Sequence, residues 1–120
     1  MKNESKFYHE IKKNLSEISW IRLENSVLLG VADLLGYNVN CSFFTVELKV
    51  ARGNKITFSP HQIAFHIRHP KNTFICVKVK GQRSPKLFEG AKVRELSTYG
   101  CRTKAIAEGY EEIKKVLGSL

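Results

Sequence analysis

The stretch Phe43-Phe44-Thr45-Val46-Glu47-Leu48-Lys49-Val50 sets a carboxylate and an ammonium inside an otherwise apolar run of β-branched and aromatic residues. Such alternation reads as a strand. Residues two apart on a strand share a face, so Glu47 and Lys49 project to the same side. A Glu-x-Lys triplet is ordinarily an exposed ion pair on an edge strand, worth little. Within an apolar strand the carboxylate instead needs a cationic or metal partner to be tolerated. Upstream, Asp33 in Gly30-Val31-Ala32-Asp33-Leu34-Leu35 is the only aspartate in the chain. An aspartate often does no more than end a turn. Two carboxylates and a lysine around one strand face also suit metal-assisted phosphodiester hydrolysis. Carboxylate oxygens hold a hard divalent cation, and the lysine sits beside the scissile phosphate or the attacking water.

The bulk properties bound what surrounds this cluster. A chain of 120 residues makes a single domain over 1–120 with one core. Its 42% hydrophobic and 26% charged content is ordinary for a globular protein and excludes wholesale disorder. No apolar run approaches a membrane span, and the N-terminal residues lack the apolar stretch of a signal peptide. Cys41, Cys76 and Cys101 are scattered, with no C-x-x-C spacing, as expected of reduced thiols in a cytoplasmic protein. The formal charge of +9 points to a polyanionic partner, bound through counterion release from phosphates.

Along the chain, Phe7, Ile11, Leu15 and Ile18 recur at helical spacing and predict an amphipathic helix over 5–18. Short strands are expected at 19–24 and 31–35, a hairpin-type turn at 36–40, and the main strand at 43–50. Ser59-Pro60 supplies a cap and a first-turn proline, opening a helix that His69-Pro70 closes. A strand is expected at 74–79, and a loop with one or two short strands over 82–99. A last helix over 103–117 carries Ile106, Tyr110, Ile113 and Leu117 on one stripe. Helix, strands, helix, strand and helix in this order predict an α/β sandwich around a central mixed sheet.

The set Gly30-Val31-Ala32-Asp33, Glu47-Leu48-Lys49 and Ser59-Pro60-His61-Gln62 resembles the PD-(D/E)xK nuclease superfamily. Within it the chain is most similar to small stand-alone VRR-NUC-like and Holliday-junction-resolvase-like enzymes, many from phages. Matched positions run from about Glu10 to Val79. Ala32 stands where proline is usual, and nothing beyond Gly81 matches. The resemblance implies a restriction-endonuclease-like three-layer sandwich. It implies that Asp33 and Glu47 bind Mg²⁺ or Mn²⁺, with the backbone carbonyl of Leu48 as a further ligand. Lys49 would orient or activate the attacking water, and Gln62 would support the site by hydrogen bonding. The family's extra glutamate from the first helix matches Glu10, with Glu24 as a rival. Glu10 also has lysines around it that suit a surface ion pair, and Gln62 also fits an ordinary solvent-facing helix position. His61, His66 and His69 lack an acidic or thiol partner at ligand spacing, which disfavours a zinc site.

Basic residues follow the candidate site: Arg52 and Lys55 after the main strand, Arg68 and Lys71 after the second helix, then Lys78, Lys80, Arg83 and Lys86. Such a distribution suits phosphate contacts, which position DNA without reading sequence. With no sequence-reading module, the expected substrate is branched DNA, cut by a homodimer that presents two sites. The apolar stripe of the last helix would either supply that dimer interface or close the core. The competing readings are a non-catalytic nucleic-acid-binding protein on a nuclease fold, and a nuclease acting on other DNA ends or flaps.

Overall fold

Phe44, Val46 and Leu48 alternate with Thr45, Glu47 and Lys49, and the strand they build is the hub of the sheet. The computed structural model describes residues 3–23 and 30–120. In it β3 (Phe43–Ala51) pairs antiparallel with β2 (Leu34–Tyr37) and parallel with β4 (Thr73–Val79). β1 (Ser19–Arg22) extends the sheet beyond β2, while β5 (Lys86–Glu89) and β6 (Ala107–Glu108) extend it beyond β4. The strand order is therefore β1-β2-β3-β4-β5-β6. A parallel pair needs a crossover, and α2 (Pro60–Arg68) lies within it. The other helices are α1 (Asn3–Asn14), α3 (Val93–Tyr99) and α4 (Tyr110–Gly118).

Strand alternation divides the apolar side chains into two layers. Phe44, Val46, Leu48, Phe74 and Cys76 pack with Phe7 and Ile11 of α1 and Ile113 and Leu117 of α4. On the opposite face Ile75, Val77 and Phe88 pack with Val93 and Leu96 of α3, flanked by Ile63 of α2. The result is a three-layer α/β sandwich whose middle layer is a mixed sheet. Glu47 and Lys49 belong to the face covered by α2, because they alternate with Val46 and Leu48.

Several elements differ from the sequence expectation. The second strand is Leu34–Tyr37 rather than 31–35, and its turn occupies 38–42. Gly36 therefore lies inside the strand. A Cβ there would sit 2.5 Å from the Phe44 ring and 3.0 Å from Trp20, so the glycine makes room for two crossing aromatic rings rather than a bend. Within 82–99, Val93–Tyr99 is helical. No side chain caps its start, which left no sequence signal there. The last helix begins only at Tyr110, since Gly109 adopts φ 84° and β6 precedes it. Ile106 is consequently exposed, whereas Ile113 and Leu117 are each 1% accessible. The stripe on α4 closes the core and is not a free face for a second subunit. Among the described residues no helix is long and apolar enough to cross a membrane.

Buried Asn38 ties the two ends of this architecture together. Its Oδ1 accepts from the backbone N–H groups of Asn40 and Ser42, both at 3.0 Å, and its Nδ2 donates to the Leu117 carbonyl at 2.9 Å. One side chain thus shapes the β2–β3 turn and satisfies a carbonyl in the last turn of α4. Asn38→Ala leaves these buried groups unpaired and should destabilise the fold by about 2–3 kcal/mol. Thermal unfolding should show a fall in Tm of about 10 °C; an unchanged Tm would mean the turn holds without the amide.

Candidate active site

The site is assembled by the start of α2. Ser59 Oγ accepts from Gln62 N–H at 3.1 Å, and Gln62 Oε1 accepts from Ser59 N–H at 3.0 Å. This is a capping box, with Pro60 at the first helical position. The box points the Gln62 amide back toward β3. There Oε1 also accepts from Lys49 Nζ at 2.9 Å, and Nε2 donates to Glu47 Oε2 at 3.2 Å. One amide therefore bridges the ammonium and the carboxylate that β3 places on the same face. Lys49 Nζ also stands 4.8 Å from the centroid of the Phe58 ring, a cation–π contact that helps hold it.

Asp33 arrives from the other side of β3. Its Oδ2 accepts from the Leu48 N–H at 2.7 Å. The β2–β3 ladder reaches only Leu34 opposite Val46, so the aspartate takes up a backbone donor just past the end of that pairing. Asp33 is thereby brought close enough to Glu47 for the two carboxyls to feel one another. Burial, followed by the charge and hydrogen bond of Glu47, pushes the Asp33 carboxyl up to about 7, against the Leu48 N–H and Lys49. Burial likewise raises Glu47, while the hydrogen bond from Asp33 and the charge of Lys49 pull the other way. Like carboxyls this close raise one another's affinity for a proton.

His66 completes the inner wall. It is fully buried, one helical turn beyond Gln62, with Nε2 3.8 Å from Glu47 Oε1. Burial foremost, then the charges of Lys49 and His69, lowers it to about 4, so it faces Glu47 as a neutral ring and the contact is not an ion pair. Neither ring nitrogen has a hydrogen-bond partner. On its other side it presses on Gly90, where a Cβ would come within 2.7 Å of Nδ1.

The donors suit a hard divalent cation. Glu47 Oε1 is buried without a hydrogen-bond partner, the Asp33 carboxyl lies beside it, and the Leu48 carbonyl points, like its N–H, to the Asp33 side of β3. Oxygen ligands of this kind match Mg²⁺ or Mn²⁺, which retain waters and substrate oxygens in their remaining positions. Among the described residues no group of three or more His, Cys, Asp or Glu is gathered for a metal, so protein carboxylates would fill only part of the coordination sphere.

Other expected site residues lie elsewhere. Glu10 is on the opposite side of the sheet, its carboxylate oxygens 2.5 and 2.6 Å from Lys78 Nζ, with Tyr110 Oη donating at 3.3 Å. It is an ion-pair partner and not part of the Asp33–Glu47 cluster. The α1 acid whose charge does reach Glu47 is Glu4, in the first turn. Lys78 alternates onto the α1 face of β4 and is engaged by Glu10, so it is not among the cations free for phosphate. Glu24 lies outside the described residues. Arg52, Lys55, Lys80 and Arg83 are exposed beyond the ends of β3 and β4, whereas Arg68 and Lys71 are exposed at the far end of α2. Sequence reasoning weighed His66 only as a zinc ligand. Its position four residues after Gln62, on the same helical face, was the signal that it belongs to the carboxylate site.

No family model matches the sequence, and no curated protein matches it either. Among solved structures, the chain is similar to Hjc of Archaeoglobus fulgidus, a Holliday junction resolvase from an archaeal hyperthermophile. The likeness has a TM-score of 0.56 at 13% identity and covers 72% of this chain and 74% of that one. The shared feature is the fold: a mixed sheet between helical layers, as the sequence led one to expect.

The raised Asp33 carboxyl has a measurable consequence. A carboxyl whose folded value of about 7 exceeds its ordinary 3.8 binds its proton more tightly when folded. Metal-free protein should therefore lose stability as pH rises from about 4 to about 7, by an amount on the order of a few kcal/mol. Asp33→Asn, which still accepts from Leu48 N–H, should flatten that slope and be more stable than the parent at pH 7. Urea melts in EDTA across this range test it; parallel pH profiles for the two proteins would contradict the raised Asp33 carboxyl.

Proposed function

We propose that the chain is a nuclease of the PD-(D/E)xK superfamily that hydrolyses phosphodiester bonds in branched DNA with Mg²⁺ or Mn²⁺, in the manner of a Holliday junction resolvase. The observation that carries this reading is the Gln62 amide joining Glu47 to Lys49, with Asp33 against Glu47. A protein that only binds DNA has no use for buried carboxylates that repel phosphate. The likeness in fold to a Holliday junction resolvase supports the same reading. The charge of +9 and the lack of a sequence-reading module favour recognition of DNA shape over sequence. Two symmetric cuts in a junction call for two sites, hence a homodimer.

Each residue has a distinct task. Asp33, Glu47 and the Leu48 carbonyl would hold the cation, which when bound supplies positive charge to the phosphate as negative charge builds there. Lys49 carries a second, fixed positive charge on the same strand face and orients the attacking water. Gln62 keeps Lys49 and Glu47 in register, so the ammonium cannot collapse onto the carboxylate and neutralise it. His66 excludes water from the Glu47 side as a neutral ring.

Asp33→Asn and Glu47→Gln should each abolish metal-dependent cleavage while preserving the fold, as circular dichroism would verify. Lys49→Ala should bind DNA and metal normally yet turn over about 10²–10³-fold more slowly. The assay is cleavage of four-way, flap, nicked and linear DNAs with and without Mg²⁺, alongside light scattering for the dimer. Parent-like cleavage by Glu47→Gln would remove this site, and a parent that cleaves none of these DNAs would leave the DNA-binding alternative. Equal cutting of linear and four-way DNA by a monomer would remove only the resolvase part.

A further inference from the structure

Beyond the carboxylate site lies a concavity of about 490 Å³ walled by Arg52, Lys80, Lys86 and Arg102, with Cys101 and Asn54 between them. The four cations come from four separate segments: the loop after β3, the connection after β4, β5 itself, and the turn Gly100–Arg102. No acidic side chain among the described residues lines the concavity. Among the described residues none of the four is in an ion pair, whereas Lys78, Lys92 and Lys114 each have a glutamate partner. Converging like charges repel one another, and a mobile anion relieves that repulsion.

The convergence is built into the backbone. Asn54 clamps the loop carrying Arg52 to the turn carrying Arg102: its Nδ2 donates to the Tyr99 carbonyl at 2.9 Å, its Oδ1 accepts from Arg102 N–H at 3.1 Å, and its carbonyl accepts from Cys101 N–H at 2.8 Å. Gly100 adopts φ 63° there, and a Cβ would collide with the Asn54 carbonyl. Guanidinium forks from both clamped segments match the geometry of a phosphate. Arg52 follows Lys49 by three positions on or just past one strand, about 10 Å at ~3.3 Å per residue. That is the axial span of about three nucleotides at ~3.4 Å each.

We propose that this Arg52–Lys80–Lys86–Arg102 concavity binds a backbone phosphate of the DNA about three nucleotides from the scissile one. The proposal rests on the nuclease reading for its register. It adds the surface that fixes which bond reaches Lys49.

The test is binding in EDTA, with no cleavage required. A labelled four-way junction and a short linear duplex are titrated with the parent, with Arg52→Gln/Arg102→Gln, and with Lys12→Gln/Lys13→Gln, which removes the same charge from an exposed face of α1. The first double variant should bind at least about tenfold more weakly, and its slope of log affinity against log salt should fall by about two. The control pair should stay within about twofold. In parallel, saturating DNA should slow alkylation of Cys101 and leave exposed Cys41 unaffected, as read by peptide mapping. Equal losses in both double variants, unaltered binding in the first, or unprotected Cys101 overturns the proposal. A protein that meets every expectation yet cleaves no DNA keeps the phosphate site and forfeits the nuclease reading. One that cleaves DNA while the concavity variants bind normally does the reverse.

Discussion

The side-chain amide of Gln62 is the point on which the site depends. Its oxygen is committed to the Ser59 N–H by the helix cap and receives Lys49 as well, which leaves the nitrogen to face Glu47. A helix start is a purely local event, decided by a hydroxyl, a proline and a returning amide. Here the same local event fixes the distance between an ammonium and a carboxylate that would otherwise pair directly. The parallel β3–β4 ladder makes the crossover obligatory, and the crossover delivers α2 to the face where Glu47 and Lys49 project. Sheet topology, helix capping and site chemistry are therefore one constraint.

Electrostatics divides the molecule sharply. Inside, Glu47 is buried with half-buried Asp33 beside it, each carboxyl raised, and His66 stays neutral against Glu47. Outside, just past the end of β3, cations from four segments gather, none of them in an ion pair among the described residues. Acid at the centre and base at the rim suit a polyanion that must be drawn in and then met by a metal cation. Neither half accounts for the other alone.

Much of this was legible in the chain itself. The apolar alternation around Glu47 marked β3, and Ser59-Pro60 marked the start of α2, because caps and strand periodicity are local signals. Asp33, Glu47 and Lys49 followed from their pattern and Gln62 from the family resemblance, and the structure brings the four together. What escaped was set by tertiary contact. Gly36 reads as a turn former until the rings of Trp20 and Phe44 are seen crossing it. Val93–Tyr99 becomes helical without a cap because Val93 and Leu96 are buried in the second core layer. Glu10 and Glu4 both sit on α1, and only the path of that helix over β3 and β4 decides which acid meets Lys78 and which is felt at Glu47. Arg102 joins Arg52 through the Asn54 clamp, a contact across 48 positions that no window of sequence reveals.

The bond from Asn38 to the Leu117 carbonyl spans 79 positions, and it bears on the order in which the molecule is made. Local pieces such as α1 or the β2–β3 hairpin form early at little loop-closure cost, but this closure comes late. Until α4 docks, Phe44, Val46 and Leu48 lack Ile113 and Leu117, which share their layer with Phe7 and Ile11 of α1. The last layer of support for β3 thus comes from α4, the segment farthest from it in sequence to pack on that face.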